Sequence, residues 1–276
     1  LAIHHTPILS FHKGEILPRR DSLAIEEPLE IVLVSGPRSA RRTEVFGITM
    51  RTPGHDAELA AGLLFAEGII TDRDQVEGIV ACESSNPKGY RLRVELSPSW
   101  VPPPHAYSTR NISSACGVCG RQTIDDLLQR IRLIPKNHLE LSGELITTLP
   151  DRLRAAQKDF ARTGGLHACG LFTAQGQFLD SHEDVGRHNA VDKIVGSQFL
   201  QDQLPLQEGL FVVSGRASFE LVQKSVVAGA NALIAVGAPS SLAVELAQSV
   251  DLILIGFARE GRFNIYSGFD RITIRS

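Results

Sequence analysis

The chain has 276 residues, 21% of them charged, and a formal net charge of -3 with histidine neutral. That near-balance supplies no basic field for nucleic acid or an anionic membrane, so neither is an expected partner. The longest apolar stretches, such as Asp251–Ala258, fall far short of the about 18 residues a membrane helix needs. Four cysteines make no disulfide framework at this length. The stretch from Leu1 to Glu15 lacks the basic start and apolar run of a signal peptide, so a cytoplasmic protein with reduced thiols is expected.

In chain order, residues 1–25 read as a polar arm. EPLEIVLVSG and RRTEVFGITMRTPG then read as strands closed by turn residues. HDAELAAGLLFAEGII reads as a helix, with Leu59, Leu63 and Ala66 on one face and Gly68 to end it. GYRLRVELS alternates Tyr90, Leu92, Val94 and Leu96 with polar residues, the pattern of a half-buried strand. These make a small α+β domain over residues 1–100. Residues 101–122 read as a linker: consecutive prolines forbid helix and favour extended chain.

Residues 123–276 read as an α/β domain. Thr123 and Asp126 give a capping signal for a helix with Ile124, Leu127, Leu128 and Ile131. A second helix around PDRLRAAQKDFARTGG closes on Gly164 and Gly165. LHACGLFTA and QFLDSHEDVG look like a hairpin. Three short apolar runs, LFVVSG, ALIAVGA and DLILIGF, then alternate with helices HNAVDKIVG, SFELVQKSVVAG and SLAVELAQSV. That alternation means parallel strands joined by right-handed crossovers.

Two clusters carry chemistry. The first is SSACGVCG, which places Cys116 and Cys119 three apart between Gly117 and Gly120. A structural zinc site needs four ligands, and no second pair exists at a diagnostic spacing, so no zinc is expected. A thioredoxin-type redox pair begins a helix, where the terminus lowers the thiol pKa, whereas here the capped helix starts at Thr123. Redox cycling and a merely incidental pair remain open on spacing alone. A sulfur carrier suits a loop better, because an activated thiol must reach two partners in turn, and Arg110 and Arg121 favour thiolate.

The second cluster lies in the turns after the C-terminal strands, EDVGRHN, SGRAS, GAPSS and GFAREGR. Ligands in open α/β sheets bind at the carboxyl ends of the strands. Helix N-termini there present free N–H groups, and Arg187, Arg216, Arg259 and Arg262 add charge suited to phosphate. The expected ligand is an anion, foremost a nucleotide phosphate. Neither a dinucleotide-binding G-x-G-x-x-G nor a phosphate-binding G-x-x-x-x-G-K-S/T is present. His188 reads as a base, a ligand or a hydrogen-bonded structural residue. His167, Cys169 and Cys82 read as core-lining strand residues.

The blocks SSACGVCG, TGGLHA, HEDVGRHNAVDKIVG, SGRASFELVQKSVVAG, APSSLAVELA and GFAREGRFNIYS resemble, in order, the FdhD/NarQ family of formate dehydrogenase accessory proteins. TPGHDAELAAGLLFAEGII resembles that family's N-terminal helix region, so the likeness runs over residues 25–268. The resemblance implies a sulfurtransferase that takes sulfur from a cysteine desulfurase. It passes that sulfur to the molybdenum bis(molybdopterin guanine dinucleotide) cofactor, or its tungsten counterpart, for formate dehydrogenase. It makes Cys116 the persulfide-carrying cysteine and Cys119 its partner. It assigns cofactor binding to Phe257, Ala258, Arg259, Glu260, Gly261 and Arg262. His188, Arg187, Ser214, Gly215 and Arg216 join them from the Gly-Arg turns, with a guanine nucleotide as the simplest ligand. It further implies a homodimer, and a C-terminal three-layer α/β domain with the cytidine deaminase fold. Deaminases carry H-x-E and P-C-x-x-C for zinc; here Ala190 stands where the Glu should follow His188, and residues 214–218 hold no cysteine. A cofactor chaperone without sulfur transfer is the rival reading.

Overall fold

The computed structural model describes residues 2–83, 90–103, 139–206 and 208–274. Cys116, Cys119 and the helix expected from Thr123 lie outside the described residues. The N-terminal stretch is not a featureless polar arm. Strands β1 (Ile3–His12) and β2 (Glu15–Ala24) pair as an antiparallel ribbon. Its two-residue turn, Lys13-Gly14, has φ of 51° and 91°, the backbone of a tight hairpin whose twist matches its strands. The pattern hid these strands because no side chain of the ribbon is fully buried and most are exposed.

A four-stranded sheet follows, in the order β4 (Arg42–Arg51), β3 (Glu27–Ser35), β6 (Tyr90–Leu96), β5 (Val76–Glu83). β3 and β6 run parallel and the outer pairs antiparallel. Helix α1 (Asp56–Ala66) covers one face with Leu59 to Ala66 all buried. It ends where Gly68, at φ 70°, returns its N–H to the Phe65 carbonyl.

The larger sheet has six strands in the order β9 (Phe178–Asp184), β8 (His167–Phe172), β10 (Leu210–Val213), β11 (Ala232–Ala235), β12 (Ile253–Arg259), β13 (Arg262–Ser267). β10, β11 and β12 are parallel, as their alternation with helices requires; β8, β9 and β13 are antiparallel. Helix α2 (Gly143–Ala156) packs on one face with Leu210, Val212, Ile234 and Ile255. It starts before Pro150, where Ser142 Oγ accepts the Leu145 N–H at 3.1 Å. The helix expected around residues 150–165 is therefore two: α2 breaks at Gln157, and α3 (Lys158–Thr163) ends on Gly164 at φ 66°. Helices α4 (Arg187–Leu200), α5 (Phe219–Val227) and α6 (Ser241–Ser249) pack on the opposite face with Phe211, Val213, Leu233 and Leu254. A short parallel pair, β7 (Leu141–Ser142) with β14 (Ile272–Thr273), ties α2 to the C-terminal end of the described chain.

α1 and α4 cross with backbones in contact. A Cβ on Gly62 would lie 1.9 Å from the Asp192 carbonyl oxygen, and one on Gly196 1.7 Å from that of Glu58. α4 is therefore buried all round, and its polar side chains find partners inside. Asp184, fully buried, accepts from Gly186 N at 2.8 Å and Asn189 Nδ2 at 2.9 Å with one oxygen. Its other oxygen accepts from Thr52 N at 3.1 Å and pairs with Lys193 Nζ at 2.8 Å. Lys193 also donates to the Thr52 carbonyl. One carboxylate thereby holds the end of β4 and the start of α4 together.

Candidate functional site

Beyond Val213 and Ala235, the chain segments leaving β10 and β11 stay side by side. Val236 N donates to Val213 O, Gly237 N to Gly215 O, Ala217 N to Ala238 O, and Ser240 N to Ala217 O, at 2.9–3.2 Å. The next neighbour joins them through Phe257 N to Gly237 O at 3.0 Å. SGRAS, GAPSS and GFAREGR are thus one surface at the carboxyl ends of the parallel strands. β8 runs antiparallel, so its first residue, His167, reaches the same end.

A cleft of about 490 Å³ opens there between the sheet end and the α2–α3 break. The size suits a small-molecule site. His167, Ser214, Val236 and Arg259 form one wall, with Arg154, Gln157 and Phe160 opposite. The Arg154 guanidinium stacks on the Phe160 ring, 4.1 Å from its centroid. Ser214 is held by exchange with Ala168, its N–H to that carbonyl at 3.0 Å and its Oγ accepting that N–H at 2.9 Å. Gln157 is buried, and its Nε2 has no acceptor among the described residues; the same is true of the buried Arg187 Nε. Buried donors normally find partners, so two unused N–H groups in this region favour an acceptor-rich ligand.

His167 is not a plain core residue: it is half-buried on the cleft wall. Burial holds its imidazole below the usual histidine range, and Arg187, His188 and Arg216 act in the same direction, against the opposing pull of Asp184. Arg187 and Arg216 therefore lie close enough to act on the ring, although burial is the larger cause. His188 itself is turned inward, its Nε2 2.7 Å from Glu220 Oε2 and 3.2 Å from Ser218 Oγ, joining α4 to α5.

The remaining expected residues fall in three places. Gly215 lies against the His167 ring, where an added Cβ would be 3.3 Å from Nδ1. Arg216 is exposed on the loop before α5. Ala258 is buried against the α2 layer. Phe257 sits at a break in strand register with φ 53°, a costly conformation for a bulky residue. Glu260 and Gly261, at φ 54° and 71°, make a two-residue hairpin turn between β12 and β13. GFAREGR is therefore a hairpin and not an open turn. Arg262 at its tip is 3.7 Å from Glu260, both exposed. The helix starts are less open than the pattern implied, because Asp184 occupies the Gly186 N–H and Ser240 Oγ accepts the Ala243 N–H.

Sequence reasoning missed Arg154, Gln157 and Phe160, and no local signal marks them; only the fold brings the α2–α3 break to the sheet end. Among the other cysteines, Cys169 is core, and burial pushes its thiol far up. Cys82 is half-buried on β5 rather than core-lining. No helix among the described residues is long and apolar enough to cross a membrane.

Comparison with known proteins agrees across the chain. A solved structure of a formate dehydrogenase accessory protein from Desulfotalea psychrophila superposes with a TM-score of 0.75 at 24% identity, covering 99% of this chain and all of that one. Curated relatives named sulfur carrier protein FdhD include that of Streptomyces avermitilis, 44% identical over 98% of this chain and 95% of its own. That of Mycobacterium tuberculosis is 42% identical over 99% of both, and that of Thermoplasma volcanium 39% over 94% and 91%. The model of the FdhD/NarQ family matches residues 24–273, and this chain belongs to that family.

Proposed function

We propose that this chain is a sulfur carrier for formate dehydrogenase, a sulfurtransferase linking a cysteine desulfurase to the molybdenum bis(molybdopterin guanine dinucleotide) cofactor. The observation that carries the reading is the cleft, a pocket of nucleotide size at the carboxyl ends of parallel strands, with Arg154 and Arg259 in its lining. The cofactor is cargo here. One guanine dinucleotide arm would place its phosphates against Arg187, Arg216 and Arg259, with Gln157 Nε2 free to donate to it. In the loading step the Cys116 thiolate attacks the outer sulfur of the donor's persulfide. The donor's S–S bond breaks, the donor leaves as thiolate, and Cys116 holds the persulfide with Cys119 as its partner. The names of the relatives support sulfur carriage, and the sheet order β9-β8-β10-β11-β12 supports a cytidine-deaminase-like frame. The same reading makes the protein a cytoplasmic homodimer.

Mass spectrometry after incubation with a desulfurase and cysteine tests the sulfur half. One extra sulfur on the Cys116 peptide is expected; none there, with formate dehydrogenase active in a Cys116→Ala strain, leaves only a cofactor chaperone. Calorimetry with GDP tests the binding half. A charge-assisted hydrogen bond contributes roughly 1.5–3 kcal/mol, so Arg216→Ala should weaken GDP about ten- to a hundredfold, while Cys116→Ala binds as the wild type. Equal affinity in the wild type and Arg216→Ala would put the pocket elsewhere.

A further inference from the structure

Two surfaces among the described residues expose large apolar side chains. One is on the β1–β2 ribbon. Its register sets Phe11 opposite Ile16 and Leu9 opposite Pro18 on one face. Leu9, Phe11 and Ile16 are 75%, 73% and 66% exposed. The other is the face of the four-stranded sheet turned away from α1. Val45 of β4 pairs with Val32, and Ile48 with Glu30, while Val80 of β5 pairs with Arg93, itself opposite Val32. Strand alternation therefore puts Val45, Ile48 and Val80 on one side, where they are 60%, 51% and 47% exposed. Exposed apolar clusters of this kind mark interaction sites, and a two-stranded ribbon alone is marginally stable in water.

We propose that these surfaces bind each other across a two-fold homodimer, the ribbon of each protomer lying on the outer sheet face of its partner. The dimeric state rests on the reading above; the surfaces rest on the exposure and register just given. Area favours the reciprocal arrangement. Ten residues at about 3.3 Å each span roughly 33 Å, and two strands about 4.8 Å apart make a strip roughly 10 Å wide. One ribbon face thus offers on the order of 300 Å², and a single ribbon-on-sheet contact removes on the order of 600 Å² from water. Specific interfaces begin near about 1,200 Å². Two such contacts related by a two-fold axis reach that figure and close the assembly, whereas one would be too small and would propagate into open chains.

Sedimentation of the full chain at micromolar concentration tests this, with Phe11→Glu altering only the ribbon and Ile48→Glu only the sheet. Phe269→Glu, at a 63% exposed site on neither surface, is the control. The wild type and Phe269→Glu should be dimers, and the other two monomers with unchanged far-UV circular dichroism. If either glutamate disturbs that spectrum, Leu9→Ser and Val45→Ser replace them and should weaken the dimer at least tenfold. A monomeric wild type overturns the homodimer reading and this proposal together. A dimeric wild type in which the ribbon or the sheet variant stays dimeric overturns the surfaces alone.

Discussion

His167 shows how one residue reports on a site. Its imidazole is held neutral by burial first and by Arg187, His188 and Arg216 next. A histidine whose folded pKa is depressed contributes stability that is fully present above its ordinary value of about 6.5. That contribution is lost as pH falls from there through the lower folded value, because the unfolded chain binds the proton more readily. The melting temperature should therefore drop more steeply between pH 7.5 and 5.5 in the wild type than in His167→Gln. Parallel curves for the two proteins would mean that the ring feels no such field. The neighbouring Cys169 shows the opposite lesson. Its sequence context is as close to the cleft as that of His167, yet it faces the core with its thiol pushed up by burial. Neither the direction of a strand side chain nor the position of a strand end is legible from LHACGLF alone; both follow from β8 running antiparallel to β10.

At the scale of elements, legibility tracked burial. LFVV, ALIA and ILIG were readable because strands buried on both faces are continuous apolar runs, and the turns SGRAS, GAPSS and GFAREGR were readable because each follows such a run. The ribbon and β13 were not, since the ribbon is largely exposed and their Lys-Gly and Glu-Gly turns are weaker signals than Asn-Gly. The cleft wall from α2 and α3 was unreadable for a different reason: it is assembled from distant chain. The α1–α4 crossing was equally hidden, as nothing in LAAGLL or KIVGSQ reveals that Gly62 and Gly196 face each other's helix backbone. Gly196→Ala would push a methyl to 1.7 Å from the Glu58 carbonyl oxygen, and backbone on both sides leaves it no room. Overpacking of this kind costs typically about 1–3 kcal/mol, and here the upper end or more is expected. A urea midpoint equal to that of the wild type would show that the helices separate freely.

The whole molecule raises the question of how many units fold. The sequence suggests a boundary near residue 100, yet Ile31, Leu59 and Val94 belong to one apolar cluster with Val191, Phe211 and Leu254. Asp184 and Lys193 add hydrogen bonds to Thr52 across the same boundary. Separating the halves would expose that cluster and strip Asp184 and Lys193 of their Thr52 partners, each hydrogen bond to a charged group being worth roughly 1.5–3 kcal/mol. We therefore expect one cooperative transition. The single tryptophan makes this measurable. Trp100 is buried beside the four-stranded sheet, its Nε1 donating to the Ile69 carbonyl at 2.9 Å, so its emission reports the N-terminal half. Far-UV circular dichroism reports both halves. In urea the two signals should trace one curve with a common midpoint, the mark of two-state unfolding. If tryptophan emission changes at a separate midpoint from the dichroism, the halves are independent domains, and α1 against α4 is an interface rather than a core.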